Sequence, residues 1–195
     1  MKAILKLFAV ITVGAFLFTA CEQDVTLSVP GDTTIDLGED FDPKEGVDVS
    51  GADLEDVTVL WNPEFDNTVV NHYVASYTVN GETATRNIYV SADELAGSYV
   101  VVDEEDDWSS DEYTVNVVSI GEYNELRFDQ WLYEDISLIE GRVEGEEVII
   151  PNQEVYDDLF VEGTGTYDGA EQKILTIDYK IEDEGTVYEG TSTFQ

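Results

Sequence analysis

The chain is poor in the residue types that most often carry chemistry. Its 195 residues include one cysteine, Cys21, one histidine, His72, and one methionine. A lone cysteine excludes an intramolecular disulfide, so stability must come from burial. One His and one Cys cannot supply the ligands of a structural zinc site. A Ser–His–Asp arrangement would have to use His72, which stands at the entrance to a strand and reads as a surface histidine. No glycine-rich phosphate loop follows a strand. Basic residues are scarce too, eight against 44 acids, for a formal charge of −36. A field of that sign repels nucleic acid and anionic membrane surfaces, so nucleic acid is excluded as a partner, while cations are attracted. Its plainest role is surface hydration in saline surroundings, where self-repulsion is screened. Beyond Cys21 no window carries a 3.6-residue apolar stripe over twelve or more residues, which excludes a helical fold.

What is present begins at the N-terminus. Lys2 and Lys6 precede an apolar run from Leu7 to Phe18, and Phe18-Thr19-Ala20 ends on a small residue. This is the layout of a secretory signal peptide. The run is about 12 residues, short of the ~20 that span a bilayer. "FTAC" at 18–21 resembles the lipobox of bacterial lipoproteins, with Phe18 where Leu is usual. The resemblance implies that Cys21 is lipidated after export and becomes the mature N-terminus, making the membrane a partner through a lipid anchor. Glu22, a residue other than Asp after the cysteine, implies an outer-membrane destination. Whether the anchored protein faces the cell surface or the periplasm stays open. The expected division is 1–20 signal peptide, 21–24 lipidated Cys and tether, 25–90 first β domain and 91–195 second β domain.

Val, Thr, Ile and Tyr recur in short alternating runs separated by Gly, Asp and Asn, which predicts an all-β protein. In the first block the expected strands are 25–29, 33–37, 56–61, 72–79 and 83–90. Asn80-Gly81 predicts a type I′ hairpin turn, because both positions need φ > 0. In "HYVASYTV" (72–79) Tyr73, Ala75, Tyr77 and Val79 should face the core and the hydroxyl-bearing face should meet solvent. Gly38, Phe41 and Pro43, then Tyr73, Tyr77 and Val79, then Arg86, Ile88 and Val90 resemble a bacterial Ig-like surface domain of the hyalin-repeat kind. Ala75 stands where Val is usual, and Asn71-His72 replaces the Pro-Gly before the central strand. The resemblance implies an Ig-like β-sandwich used as a spacer or adhesion module.

The second block predicts eight successive strands, at 97–102, 112–120, 125–133, 136–143, 146–155, 159–168, 173–182 and 186–194, with Gly145, Gly169 and Gly185 in its turns. Such spacing predicts an antiparallel meander that closes into a barrel or a strongly curled sheet. "GSYVVV" resembles the Gly-x-Trp strand that opens lipocalin barrels, with Tyr99 for Trp. Together, the lipobox, the Ig-like block, "VIIPNQ" and "VEGTGTYDG…LTIDYKI" resemble a two-domain lipoprotein family of Bacteroidota. That resemblance implies a lipocalin-like (calycin-like) C-terminal domain and names no activity.

Three candidate sites follow. The acidic run "VDEEDDWSSDE" (102–112) offers Asp103, Glu105, Asp107 and Asp111 as ligands for Ca²⁺, a cation that takes six to eight oxygens. The run lacks the Asp-x-Asp-x-Asp-Gly order of a preformed loop, and a solvated turn is the competing reading; no other cofactor is expected. Trp108, inside that run, reads as an exposed contact residue. In "LRFDQWLY" (126–133) Arg127, Asp129, Trp131 and Tyr133 should share one face and resemble a sugar-binding platform. Glycoside hydrolysis would need two carboxylates at a fixed separation, and no pair stands out, so no enzyme activity is expected. The leading expectation is a non-enzymatic anchored lipoprotein whose C-terminal domain contacts polysaccharide. The alternatives are a carrier of a small apolar ligand inside the barrel, and a Ca²⁺-dependent structural or protein-interaction module with a surface protein as partner.

Overall fold

The structure is a computed structural model describing residues 24–105, 108–132 and 137–195. The signal peptide, Cys21 and the tether up to residue 23 lie outside the described residues. The chain is all-β and forms two units.

The first unit is a small sandwich. Strands β1 (Thr26–Ser28) and β3 (Asp48–Ser50) form one antiparallel pair. Against it stands a four-stranded sheet of β2 (Thr33–Asp36), β6 (Glu82–Ser91), β5 (His72–Val79) and β4 (Thr58–Asn62), in that order, with β2 parallel to β6. Alternation in β5 buries Tyr73, Ala75, Tyr77 and Val79, as the sequence predicts. The β5–β6 hairpin turns on Asn80 (φ 47°) and Gly81 (φ 92°), the conformation its sequence demands. Buried tyrosines keep a wet partner for their hydroxyls: Tyr73 donates to the Asp66 carbonyl (2.9 Å) and Tyr77 to the Pro43 carbonyl (2.8 Å). Burial pushes the Tyr73 hydroxyl up to about 12. Arg86, nearly buried, donates to the Gly31 carbonyl at 2.8 Å and lies 5.3 Å from the ring centre of Phe41. Strand β3 is an addition to the sequence reading, since three residues are too few for a periodic signal.

The second unit is an eight-stranded antiparallel barrel. Strands β7 (Gly97–Glu105), β9 (Tyr113–Ser119), β10 (Glu125–Asp129), β11 (Ser137–Glu144), β12 (Glu147–Tyr156), β13 (Leu159–Asp168), β14 (Lys173–Asp183) and β15 (Thr186–Phe194) pair in succession. The meander closes where β15 meets β7, from Thr191↔Glu104 to Phe194↔Val101. A short strand β8 (Trp108–Ser109) folds back onto the end of β7. Closure removes the sheet edges that an open meander would expose.

The two units share one contiguous core. The sandwich meets the barrel end that holds the turns 119–125, 144–147 and 168–173. Val70 bridges Gly145, whose N–H donates to the Val70 carbonyl (3.1 Å). The Tyr167 hydroxyl accepts from the Val70 N–H (2.9 Å) and donates to the Gly145 carbonyl (2.7 Å). Gln172 donates to the Leu37 carbonyl (2.5 Å), and the Ala92 N–H to the Tyr123 carbonyl (2.7 Å). These bonds satisfy backbone groups that the seam buries. Strand β3 runs on through the turn at Leu54–Asp56 into β4, whose Thr58 pairs with Thr78 at the end of β5 remote from the barrel. Thr26 lies opposite Ser50, on the end of β3 that leads there, so β1 begins at the end of the sandwich remote from the barrel.

Candidate functional site

Alternating strand direction puts Glu105, Tyr113, Asp129 and Ser137, with the turns 156–159 and 183–186, at the end away from the sandwich. Both stretches singled out in the sequence, 102–112 and 126–133, reach this distal end. They do not assemble there as expected.

Asp103 is no open calcium ligand. It alternates inward with Tyr99 and Val101 and is only 4% exposed. Its carboxylate accepts from the Ser192 hydroxyl (2.5 Å) and the Tyr113 hydroxyl (2.7 Å). Burial raises its pKa against the lowering effect of those two bonds. The Tyr113 hydroxyl is pushed up by burial and by the facing carboxylate. Glu105 accepts from the Tyr179 hydroxyl at 3.3 Å, Asp111 is exposed on the following turn, and Asp107 lies outside the described residues. Among the described residues no three His, Cys, Asp or Glu side chains converge on a metal position. Asp103 itself therefore has a structural role, with its carboxylate oxygens taken by Ser192 and Tyr113.

The sugar platform is also broken. Arg127 and Asp129 do share the outer face of β10, half-buried and paired at 2.8 Å; the pairing raises the Arg127 pKa. Past Asp129, however, Gln130 (φ 65°) and Leu132 (φ 71°) take left-handed conformations. The chain leaves the strand and swings Trp131 inward, 0% exposed, with its indole N–H donating to Ser192 Oγ at 2.8 Å. A strand alternation extended to 133 put Trp131 on the wrong face. Tyr133 lies outside the described residues. The backbone of Trp108 pairs with Glu105, and its side chain is outside the described part.

The inward turn of Trp131 decides what the barrel can hold. Phe128 and Trp131 stand 5.3 Å apart, Tyr99 and Phe194 5.6 Å, and Trp131 and Tyr179 6.2 Å. Val115, Val117 and Ile177 are buried around them. Leu175 turns outward beyond a register shift that brings Ile174 in opposite Tyr167. Among the described residues the barrel interior is filled by this aromatic cluster, which counts against the expected alternative of an apolar carrier.

The concave feature lies on the outer wall instead. A trough of about 730 Å³ crosses five strands, β12, β13, β14, β15 and β7. In β14 the buried Ile177, Tyr179 and Ile181 alternate with Asp178 and Lys180, which therefore point out of the barrel. Register aligns Ile149, Thr164, Asp178, Thr191 and Glu104 in one outward row. Glu162, Lys180 and Glu189 form the next row. Thr191 donates to Asp178 (2.6 Å), and Lys180 pairs with Glu162 at 3.1 Å. That bond holds the Glu162 carboxyl below its ordinary range and raises the Lys180 pKa. Gly190 leaves room on the inward face for the Tyr179 ring, which a side chain there would strike. Hydroxyls, carboxylates and one ammonium thus line a channel open to solvent. Sequence reading missed it because the row exists only once the register of five strands is known.

His72 does no chemistry visible in its surroundings. Its ring bonds Asn87 through Nε2 (2.9 Å) and stacks on Tyr89 at 4.7 Å.

No protein-family model matches the chain, and no curated protein matches it. Among solved structures it is similar to the crystal structure of a lipoprotein from Bacteroides thetaiotaomicron, at 18% identity and a TM-score of 0.34, covering 88% of this chain and 100% of that one.

Proposed function

We propose that the chain is an exported, non-enzymatic lipoprotein, held in the outer membrane through Cys21, that binds polysaccharide along the outer wall of its barrel. The observation that carries the reading is the trough itself. It is an open groove of about 730 Å³ whose hydroxyls, carboxylates and one ammonium, set beside Ile149, suit a polyhydroxylated chain. The lipobox resemblance supports the anchor. The start of β1 at the end of the sandwich remote from the barrel supports an Ig-like spacer near the membrane with the barrel turned outward. The glycan arm is tested by titrating soluble polysaccharides into the chain from Glu22 onward, with Thr164→Arg as the blocked variant. Binding lost in that variant supports the reading, and binding equal in both overturns it. The anchor is tested by Cys21→Ser, which should move the protein from the membrane fraction to the soluble fraction.

A second reading, contact with a surface protein, draws on the distal rim. Tyr156 is 73% exposed there, and Leu138, Val187 and Tyr188 are exposed near it. Site-specific cross-linking from position 156 on whole cells separates this reading from the first.

A further inference from the structure

We propose that the trough selects glycans bearing protonated amino groups over glycans bearing uronate or sulfate. The inference rests on the glycan reading above and adds the ligand class. Neighbouring strands stand ~4.8 Å apart, so the five-strand row extends roughly 19 Å, enough for several sugar rings in line. Among the lining residues the one cation is Lys180, and it is already engaged: Glu162 takes it at 3.1 Å, while Asn152 donates to the other Glu162 oxygen at 3.4 Å. That arrangement leaves no spare positive charge to receive an anion. Of the other lining carboxylates, Glu105 accepts from the Tyr179 hydroxyl and Glu189 faces Lys180 across the strand pair, adding to the negative charge that raises its pKa, while Asp178 and Glu104 form no ion pair with lysine or arginine among the described residues. Asp178 accepts from the neutral Thr191 hydroxyl. A ring ammonium laid along the row meets acceptors of opposite charge and forms charge-assisted hydrogen bonds. A uronate or sulfate meets like charges at the wall, within the field of a chain of charge −36.

The test is calorimetry on the chain from Glu22 onward with three length-matched probes, at a pH where sugar amines are protonated. The probes are a deacetylated chito-oligosaccharide, its N-acetylated form and an oligogalacturonate. The deacetylated probe should bind roughly tenfold tighter than the acetylated one at low salt, the sum of a few exposed charge pairs. The preference should shrink in high salt, and the galacturonate should give no binding. The double variant Asp178→Asn, Glu104→Gln should lose the preference for the deacetylated probe. Removing two acids outside the trough, by Asp157→Asn with Asp158→Asn, should leave the preference standing. Equal affinity for the acetylated and deacetylated probes, tighter binding of galacturonate, or equal loss in both double variants overturns the selectivity and leaves the glycan reading intact. No binding of any probe, nor of a panel of neutral polysaccharides, overturns both.

Discussion

The two ends of the barrel are built differently. The proximal end is sealed against the sandwich by backbone groups and by one tyrosine hydroxyl that both accepts from Val70 and donates to Gly145. The distal end closes on itself. Two left-handed residues turn Trp131 inward, and a buried carboxylate gathers the hydroxyls of Ser192 and Tyr113 beneath it. Neutral hydrogen bonds suffice where a second unit supplies partners. Where none does, the barrel uses an aromatic plug tied to a charge, and a buried charge is tolerable only while its acceptors are filled. Among the described residues the barrel is packed through its middle, and the proposed glycan would therefore meet its outer wall.

Substitutions at each end should separate these two constructions. The largest effect is expected for Trp131→Ala, which removes a fully buried indole and its bond to Ser192. Unfolding by denaturant should show a loss of about 3–5 kcal/mol. At the proximal end Tyr167→Phe strips partners from the Val70 N–H and the Gly145 carbonyl. A loss of about 1–3 kcal/mol is expected, with hydrogen exchange quickening at Val70 and Gly145 ahead of the distal strands.

Asp103→Asn should be milder and should depend on pH. The folded carboxyl has its pKa raised, mainly by burial. A raised folded value means this group favours the fold most below the ordinary unfolded value, about 3.9, and that this contribution is lost as pH rises through the folded value. Wild type should therefore lose ground to the Asn variant as pH rises above the ordinary unfolded value of about 3.9, measured as the difference in melting temperature. A difference that grows in favour of wild type over that window contradicts the assignment. The smallest effect on folding is expected for Lys180→Ala on the exposed wall, with an unfolding midpoint that stays next to that of wild type. Its glycan affinity is the readout that matters, because the stability change alone is that of any surface pair.

Much of the architecture was legible in the sequence, and the reason is period. Alternation in 72–79 fixed which tyrosines face inward, Asn80-Gly81 fixed the hairpin, and eight evenly spaced runs fixed the meander. The site was less legible because it depends on where period stops. Alternation predicts Trp131 outside only if the strand continues past Asp129, and positive φ at Gln130 and Leu132 is not a property those residues advertise. Asp103 reads as one more acid in an acidic run; only strand alternation from Tyr99 through Val101 marks it as inward. The trough required residues from five strands to be brought into one row, which no single segment encodes.

The central claim is that the outer wall, and not the barrel interior, receives the ligand. The most direct measurement is a thermal-shift titration of the chain from Glu22 onward with its best-binding polysaccharide, alongside Thr164→Arg. At a hundred times Kd a ligand adds about 2.7 kcal/mol, several degrees in melting temperature for a chain of this size. The account predicts that shift in wild type and its loss in Thr164→Arg, with the unliganded melting temperature unchanged. An equal shift in both proteins would contradict it.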